Sequence, residues 1–405
     1  MKIAMVSEQA SPLAPIGGAD AGGQSVYVGA LAGVLAKAGH KVTVYTRRDA
    51  PDQLDEVSVS ARFTVRHVSA GPPKAVPGDG LLPHMGDFGG YLADSWSTQP
   101  PDVVHAHDWM SGLAAVVGTR DLGLPVVQTF PALGVVERRH KDGKDAGPPA
   151  RVRLETAIAK NADAIVATST EDLFELIRLG VPRQAIHVVP CGVDLDQFTV
   201  DGPRAERSAR PRLLVVSRLV EEKGVDTVIE ALRAVPRAEL LVAGGPPADG
   251  LRRNREVRRL RAVARDGGVA RRVKFLGQVP HAEVPALMRS ADAVVCVPWY
   301  EPFGMVPLEA MACGVPVVVS AVGGLIDTVI HGTTGVHVPP RRPDVLANAL
   351  RELLADPTVG ESYGIAGSDR ARSRYAWQRI GRETLGIYQQ VRAARAGRRL
   401  AGRGA

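Results

Sequence analysis

Short apolar runs alternate with amphipathic stretches along this chain. IAMV at residues 3–6 predicts a strand. A glycine-rich stretch follows, then a helix over about 25–38 closed by Gly39, then a strand at 41–45. Further short apolar runs predict strands at 102–105, 126–129, 164–168 and 187–189. Strands alternating with helices argue for a parallel, doubly wound α/β sheet. TVDGPRAERSARPR at 199–212 is polar, charged and turn-rich, as linkers are. The alternation then restarts, with strands at 213–217, 239–243, 273–276, 293–297 and 317–320, a helix at about 224–233, and a final helix over 375–391. The pattern predicts a first Rossmann-like domain over 1–199 and a second over 200–375. A closing helix over 376–391 and a basic, disordered tail over 392–405 complete the chain. A cleft between two such sheets is the natural ligand site, because ligands bind at the carboxyl ends of the strands.

A length of 405 residues fits two or three domains, and 45% hydrophobic residues supply real cores. Gly (43) and Pro (30) are dispersed, so they punctuate loops rather than mark low complexity. The net charge of +7 raises nucleic acid or membrane as partners. Five of those positive charges sit on the arginines of the last fourteen residues, which hold no acid, and much of the rest lies between Arg252 and Arg272. Aromatic residues are 4% of the chain and do not interleave with the basic runs, which argues against a nucleic-acid stacking platform. Both basic stretches read as solvated surface, and no nucleic-acid partner is expected. Cys191, Cys296 and Cys313 are three and far apart, so neither a disulfide framework nor a metal-ligand spacing emerges; Cys296, in an apolar run, reads as a core thiol. The opening apolar run is too short for a signal-peptide core, and no run of about 18 apolar residues exists to span a membrane. A cytoplasmic enzyme is expected.

Three segments carry candidate chemistry. GGADAGGQ at 17–24 stands between a strand and a helix. Its glycines permit close ligand approach, and the helix after Gly23 directs free N–H groups at a phosphate or polar substrate. The spacing is not that of a dinucleotide fingerprint, and an ordinary flexible loop remains an equal reading. SRLVEEKG at 217–224 places Arg218 and Lys223 on a loop entering a helix, where two cations can converge on a diphosphate; a solvated loop is the alternative. In WYEPFGMVPLEAMACGVP at 299–316, Glu301 lies in a loop after a buried strand, Gly304 allows a tight turn, and Pro307 suits a helix's first turn. Glu309 is then about one turn into the helix. Both carboxylates can accept hydrogen bonds from sugar or ribose hydroxyls.

These segments, with PDVVHAHDWMSGLAA, ADAIVATSTEDLFEL, VVPCGVDLDQF and VKFLGQV, resemble glycosyltransferase family 4, a group that includes sucrose-phosphate-synthase-like and mycothiol-pathway transferases. The resemblance covers residues 1–391 and implies the GT-B fold, two Rossmann-like domains facing across a cleft. The first would hold the acceptor and the second a nucleotide sugar, UDP-linked by family habit, and the last helix would cross back onto the first domain. It implies Arg218 and Lys223 on the diphosphate, and Glu301 with Phe303, Gly304, Met305 and Val306 on the donor sugar. Glu309 would take the ribose, Gln278 and Val279 would flank the base, and Gly23 would lie on the phosphate side. Gly22, Gln24, His107, Asp108 and the residue at 131 would line the acceptor pocket, with His105 nearby, and the Pro- and Gly-rich stretch at about 70–90 would shape it. Arg218, Lys223 and the helix tip near Gly304 would stabilise the leaving diphosphate. Transfer with retention then needs neither an enzymic nucleophile nor a metal or other cofactor. Asp194-Leu195-Asp196 has a metal-binding pattern of another fold but falls in a family segment.

One position departs from the family. QTFPALG at 128–134 carries Pro131 where relatives usually have His, which approaches the donor's outer hydroxymethyl group. Pro offers no proton, which implies altered donor preference or weakened transfer. The expected acceptor is a small polyhydroxylated molecule, an aminocyclitol or pseudosaccharide of the antibiotic type. Three other readings compete. The fold also serves nucleotide-sugar epimerases and phosphorylases, a non-catalytic homologue would keep the scaffold, and nucleic-acid binding rests on charge alone.

Overall fold

The computed structural model describes residues 1–14, 23–76, 78–140 and 147–401, with side chains through 397. They divide into two compact units. One joins Met1–Ala14, the described residues between 23 and 190, and the chain from Trp377 onward; the other contains Cys191–Ala376.

In the first unit an eight-stranded sheet has the order β3-β4-β2-β1-β5-β6-β7-β8. Its strands are β1 (Lys2–Val6), β2 (Lys41–Arg47), β3 (Glu56–Ser60), β4 (Phe63–Val68), β5 (Val103–His107), β6 (Val126–Thr129), β7 (Ala164–Ala167) and β8 (Ile186–Val188). Every pairing is parallel except that of β3 with β4. Helices α1 (Gly23–Lys37), α2 (Met85–Thr98), α3 (Trp109–Thr119), α4 (Gly134–His140), α5 (Arg151–Asn161) and α6 (Thr170–Arg178) connect the strands. Strand β5 is buried at every position and β1 at every position but Lys2, as parallel strands covered by helices must be. Helix α1 buries Val28, Leu31, Ala32 and Leu35 on one stripe and ends at Gly39, whose φ of +92° lets the chain turn back into β2.

The second unit repeats the design with a six-stranded, wholly parallel sheet of order β11-β10-β9-β12-β13-β14. Its strands are β9 (Arg212–Val216), β10 (Glu239–Ala243), β11 (Val273–Gly277), β12 (Ala293–Cys296), β13 (Val317–Ser320) and β14 (Gly335–Val338). Its helices are α7 (Val225–Ala231), α8 (Arg255–Asp266), α9 (Val284–Arg289), α10 (Met305–Ala312), α11 (Gly324–Thr328), α12 (Pro343–Ala355) and α13 (Pro357–Arg374). Two apolar clusters, one on each face of the sheet, hold it: Leu213, Ile229, Leu240 and Leu350 belong to one, and Leu214, Met288, Leu308 and Met311 to the other.

In both sheets the strand order reverses beside the first strand, between β1 and β5 and between β9 and β12. Loops leaving the carboxyl ends of those strands diverge there, and the opening between them is where a ligand fits.

Several elements differ from expectation. The last helix, α14 (Trp377–Ala401), belongs to the first unit and continues ten residues past 391, through the stretch expected to be disordered. Arg395 explains part of this, because its guanidinium pairs with Asp163 at 2.9 Å and so ties the basic stretch down. The polar segment after Thr199 is no free linker. Arg289 of α9 donates to the carbonyls of Thr199 and Pro203, and Ala205 N–H donates to Ala286, so the segment is laced onto the second unit. Strands β3, β4 and β14 are additional to those expected; EVSVS and FTVRHV alternate apolar and polar residues, and β3 is largely exposed. The stretch at 70–90 contains a 3-10 turn, Gly78–His84, and the start of α2. Cys296 is half-buried rather than core, although burial still pushes its thiol up to about 12. The basic stretch at 252–272 is engaged locally: α8 buries Val257 and Leu260, Arg259 pairs with Asp226 and Glu256, and Arg272 donates to three carbonyls at the end of α7 and just beyond.

Candidate active site

Side chains cluster at the carboxyl edge of each sheet. In the second unit, β9 ends at Val216 and delivers Arg218 and Lys223, while β12 ends at Cys296 and delivers the loop with Glu301. The Lys223 ammonium lies 2.6 Å from Oε2 of Glu301, and both side chains are largely out of water (19% and 15% exposed). Burial alone would push Lys223 down and Glu301 up, but their mutual attraction outweighs it. Glu301 is also held low by hydrogen bonds from the backbone N–H groups of Phe303 and Gly304. Both groups are therefore charged at neutral pH. Arg218 is exposed, and its charge opposes that of Lys223.

The local backbone explains how a carboxylate comes to be held there. Gly304 starts α10 with a φ of +69°, which turns its N–H back toward Glu301. Gly323 presses on the same loop from behind, and a Cβ there would lie 2.2 Å from the Glu301 carbonyl oxygen. Met305 and Val306 open α10 half-buried, and Phe303 is buried. Glu309 follows one turn later, buried, with its carboxylate 3.7 Å from His281 Nε2. Burial raises its pKa, and His281 offsets part of the rise. Gln197 donates to His281 Nδ1, which leaves the ring proton on Nε2, facing Glu309. Sequence reasoning missed His281 and Gln197: Gln197 lies in VVPCGVDLDQF without a role there, His281 belongs to no motif, and the two come together only through the fold. Gln278 and Val279 leave the carboxyl end of β11 half-buried, with Gln278 N–H donating to Pro246. Asp194 uses its carboxylate to accept from the N–H groups of Asp196 and Gln197, a local turn.

In the first unit, Gln9, Gln24, Gly78, Asp79, Asp108 to Met110, Pro131, Ala132, Glu137, Gly147 and Arg151 line a cavity of about 460 Å³. Of the residues expected on the acceptor side, it brings together Gln24, Asp108 and Pro131; Gly22 lies outside the described residues, and Gly23 opens α1 exposed. Gln24 donates to the His107 carbonyl. His107 itself is a correction. Its ring is wholly buried and does not line the cavity, stacking instead on His105 and edge-on to Tyr27. Burial pulls its pKa down to about 3, so it is neutral. His105 is likewise buried, bridging Tyr388 of α14 (2.6 Å) and Thr129 of β6 (2.8 Å). Both side chains point into the core because both faces of a parallel strand are covered.

The cavity's chemistry joins Asp108, expected from the resemblance, with Asp79, Glu137 and Arg151, which were not. Asp108 precedes α3 with a φ of +86°, uncommon for a non-glycine residue, and Gln128 fixes its carbonyl at 3.0 Å. Burial pushes its pKa up to about 6, Arg151 pulls it down, and Glu137 and Asp79 add to the rise. Arg151 donates to Glu155 at 2.7 Å, to Glu137 at 2.5 Å and to the Ala132 carbonyl at 2.7 Å. Glu155 also accepts from the N–H of Gly134, and burial raises it to about 6. Glu8, just beyond β1, is buried against Ser111, and burial together with Asp108 raises it to about 8. A search for carboxylates one or two residues beyond each strand would have found Glu8.

Residues 21–197 match the family model "Glycosyltransferase Family 4", and residues 197–370 match "Glycosyl transferases group 1". The chain is 34% identical to D-inositol 3-phosphate glycosyltransferase 1 of Catenulispora acidiphila over 96% of both chains. The chain belongs to glycosyltransferase family 4. Its identity to the D-inositol 3-phosphate glycosyltransferase of Xylanimonas cellulosilytica is 35%, over 98% of both chains. A sucrose-phosphate synthase from Thermosynechococcus elongatus superposes with a TM-score of 0.89 at 31% identity, covering 97% of this chain and 99% of that one. The two Rossmann-like sheets are those of the GT-B fold, and the protein is a glycosyltransferase. No described helix is long and apolar enough to cross a membrane.

Proposed function

We propose that this transferase moves a sugar from a UDP-sugar, with retention of anomeric configuration, to a hydroxyl of a small cyclitol-like acceptor in the cytoplasm. The observation that carries the reading is the Lys223–Glu301 pair with Arg218 beside it at the carboxyl edge of the second sheet. Breaking a sugar–phosphate bond puts negative charge on the departing diphosphate. Arg218 and Lys223 supply positive charge where that develops, without reorganising. Glu301, fixed by Lys223 and two backbone N–H groups, keeps a free acceptor edge for donor-sugar hydroxyls. In this reading Glu309 accepts from a ribose, and Gln278 and Val279 flank the base.

No enzymic nucleophile is assigned. The departing phosphate takes the acceptor proton on the face it leaves, and neither a metal nor another cofactor is invoked. The relatives' names point to a cyclitol acceptor. An aminocyclitol or pseudosaccharide of the kind built into antibiotics is our choice within that class. Pro131 lines the first unit's cavity without a side-chain donor, which fits a donor lacking or altering the outer hydroxymethyl group.

Thermal shift with UDP, GDP and ADP tests the donor. A nucleotide at 100 times its Kd should stabilise the protein by about 2.7 kcal/mol. A donor panel follows, with the anomeric configuration of the product read by NMR. Equal shifts for all three nucleotides would remove the UDP assignment, and an inverted product would remove retention. Pro131→His should move donor preference toward hexoses bearing a free hydroxymethyl group; unchanged rates and selectivity would dismiss that role for Pro131.

A further inference from the structure

The loops that carry Lys223 and Glu301 are laced together through their backbones. The N–H of Trp299 donates to the Glu222 carbonyl at 2.9 Å. Gly224 packs so closely on Val297 that a Cβ there would stand 2.2 Å from its carbonyl oxygen. Lys223 is therefore fixed on both sides to the stretch that leads, two residues after Trp299, to Glu301. Trp299 itself is half-buried, and a third loop holds its ring. The guanidinium of Arg341, in the turn between β14 and α12, lies over that ring, 3.6 Å from its centre. At this distance the two form a stacked cation–π pair.

Arg341 holds its position at a cost. Its φ is +57°, in a region that glycine enters freely and that a residue with a Cβ resists. The surrounding PPRRP adds a constraint. Pro343 keeps Arg342 out of the helical region, at φ −122° and ψ 79°, and the left-handed step falls on Arg341. The neighbouring Arg342 pairs with Asp344. Strain of this kind persists where the surroundings over-determine it, and here the stack on Trp299 is one of the contacts that do so.

We propose that Arg341 is a positioning residue of the second unit's site: by stacking on Trp299 it keeps the Trp299–Glu222 contact in place and so presents the Lys223 ammonium to a nucleoside diphosphate. The inference rests on the reading of the Lys223–Glu301 cluster as the donor site. Arg341 acts through Trp299 and is assigned no contact with the nucleotide. A loop pair ordered before the ligand arrives loses less freedom on binding.

Calorimetric titration of the full-length protein, with whichever of UDP, GDP and ADP binds tightest, tests this beside the Tm of the ligand-free protein. Arg341→Gly removes the cation and relieves the backbone. It should weaken nucleotide binding about fivefold while leaving the ligand-free Tm unchanged or higher. Trp299→Leu should weaken binding to a similar extent. The double variant should be no weaker than the poorer single one, because both changes remove the same contact. Arg342→Gln removes a charge one residue away and should leave the Kd within about twofold. Unchanged affinity in Arg341→Gly, a lowered ligand-free Tm in that variant, losses that add in the double variant, or an equal loss in Arg342→Gln would each overturn the proposal. A wild-type protein that binds none of the three nucleotides would overturn the donor-site reading together with it. Wild-type binding that Arg341→Gly leaves untouched would remove the clamp alone.

Discussion

A carboxylate and an ammonium held 2.6 Å apart and mostly out of water depend on each other, and removing one strands the other. Glu301 and Lys223 should therefore fail in different ways. Glu301→Gln keeps the shape and leaves Lys223 free for phosphate. UDP binding should persist while kcat falls by about 100-fold, through loss of the donor-sugar acceptor. Lys223→Met should abolish the thermal shift with UDP. Equal loss of UDP binding in both variants would contradict separate roles. Glu8 makes a second case at this scale. Its pKa is raised to about 8, so the folded protein binds a proton there that the unfolded chain has released above about pH 4.5. Stability from this group is complete below that ordinary value and drains away as pH rises toward 8. Glu8→Gln, neutral throughout, should raise Tm by about 2 °C or more at pH 8 and give no gain at pH 4. A Tm difference that is the same at both pH values would show that Glu8 is not held protonated.

At the scale of elements, most strands that later carry the site were readable because parallel strands between helices are short apolar runs: IAMV of β1, LLVV of β9 and AVVC of β12 are of this kind. Glu301 and Glu309 were readable because a strand, a tight glycine turn and a proline-started helix fix their places locally. The first unit's cavity was less legible. Asp79, Asp108, Glu137 and Arg151 come from four separate loops and helices, and no local spacing joins them. His107 misled because its neighbour Asp108 does face the cavity, while one step along the strand reverses the side chain. The length of α14 was hidden for a similar reason. What holds it is remote in sequence: Tyr388 bonds His105, and Arg395 bonds Asp163. Tyr388→Phe leaves His105 Nδ1 buried without its partner, a cost of about 1–3 kcal/mol. A lowered denaturation midpoint with an unchanged slope should report it. An unchanged midpoint would mean that the bond contributes nothing net.

At the scale of the whole molecule, the donor cluster and the acceptor cavity share no residue, and each is assembled inside its own unit around its own sheet. Groups without shared partners contribute independently, to within about 0.5 kcal/mol. Asp108→Asn should then leave the Kd for UDP alone unchanged, and Lys223→Met should leave the Kd for a cyclitol acceptor alone unchanged. In the double variant, the two losses measured on kcat/KM should add. A double variant no worse than the poorer single one would mean that the acceptor and the donor diphosphate are read by one coupled element. Acceptor recognition in the first unit and leaving-group stabilisation in the second would then no longer be separate functions of the two sheets.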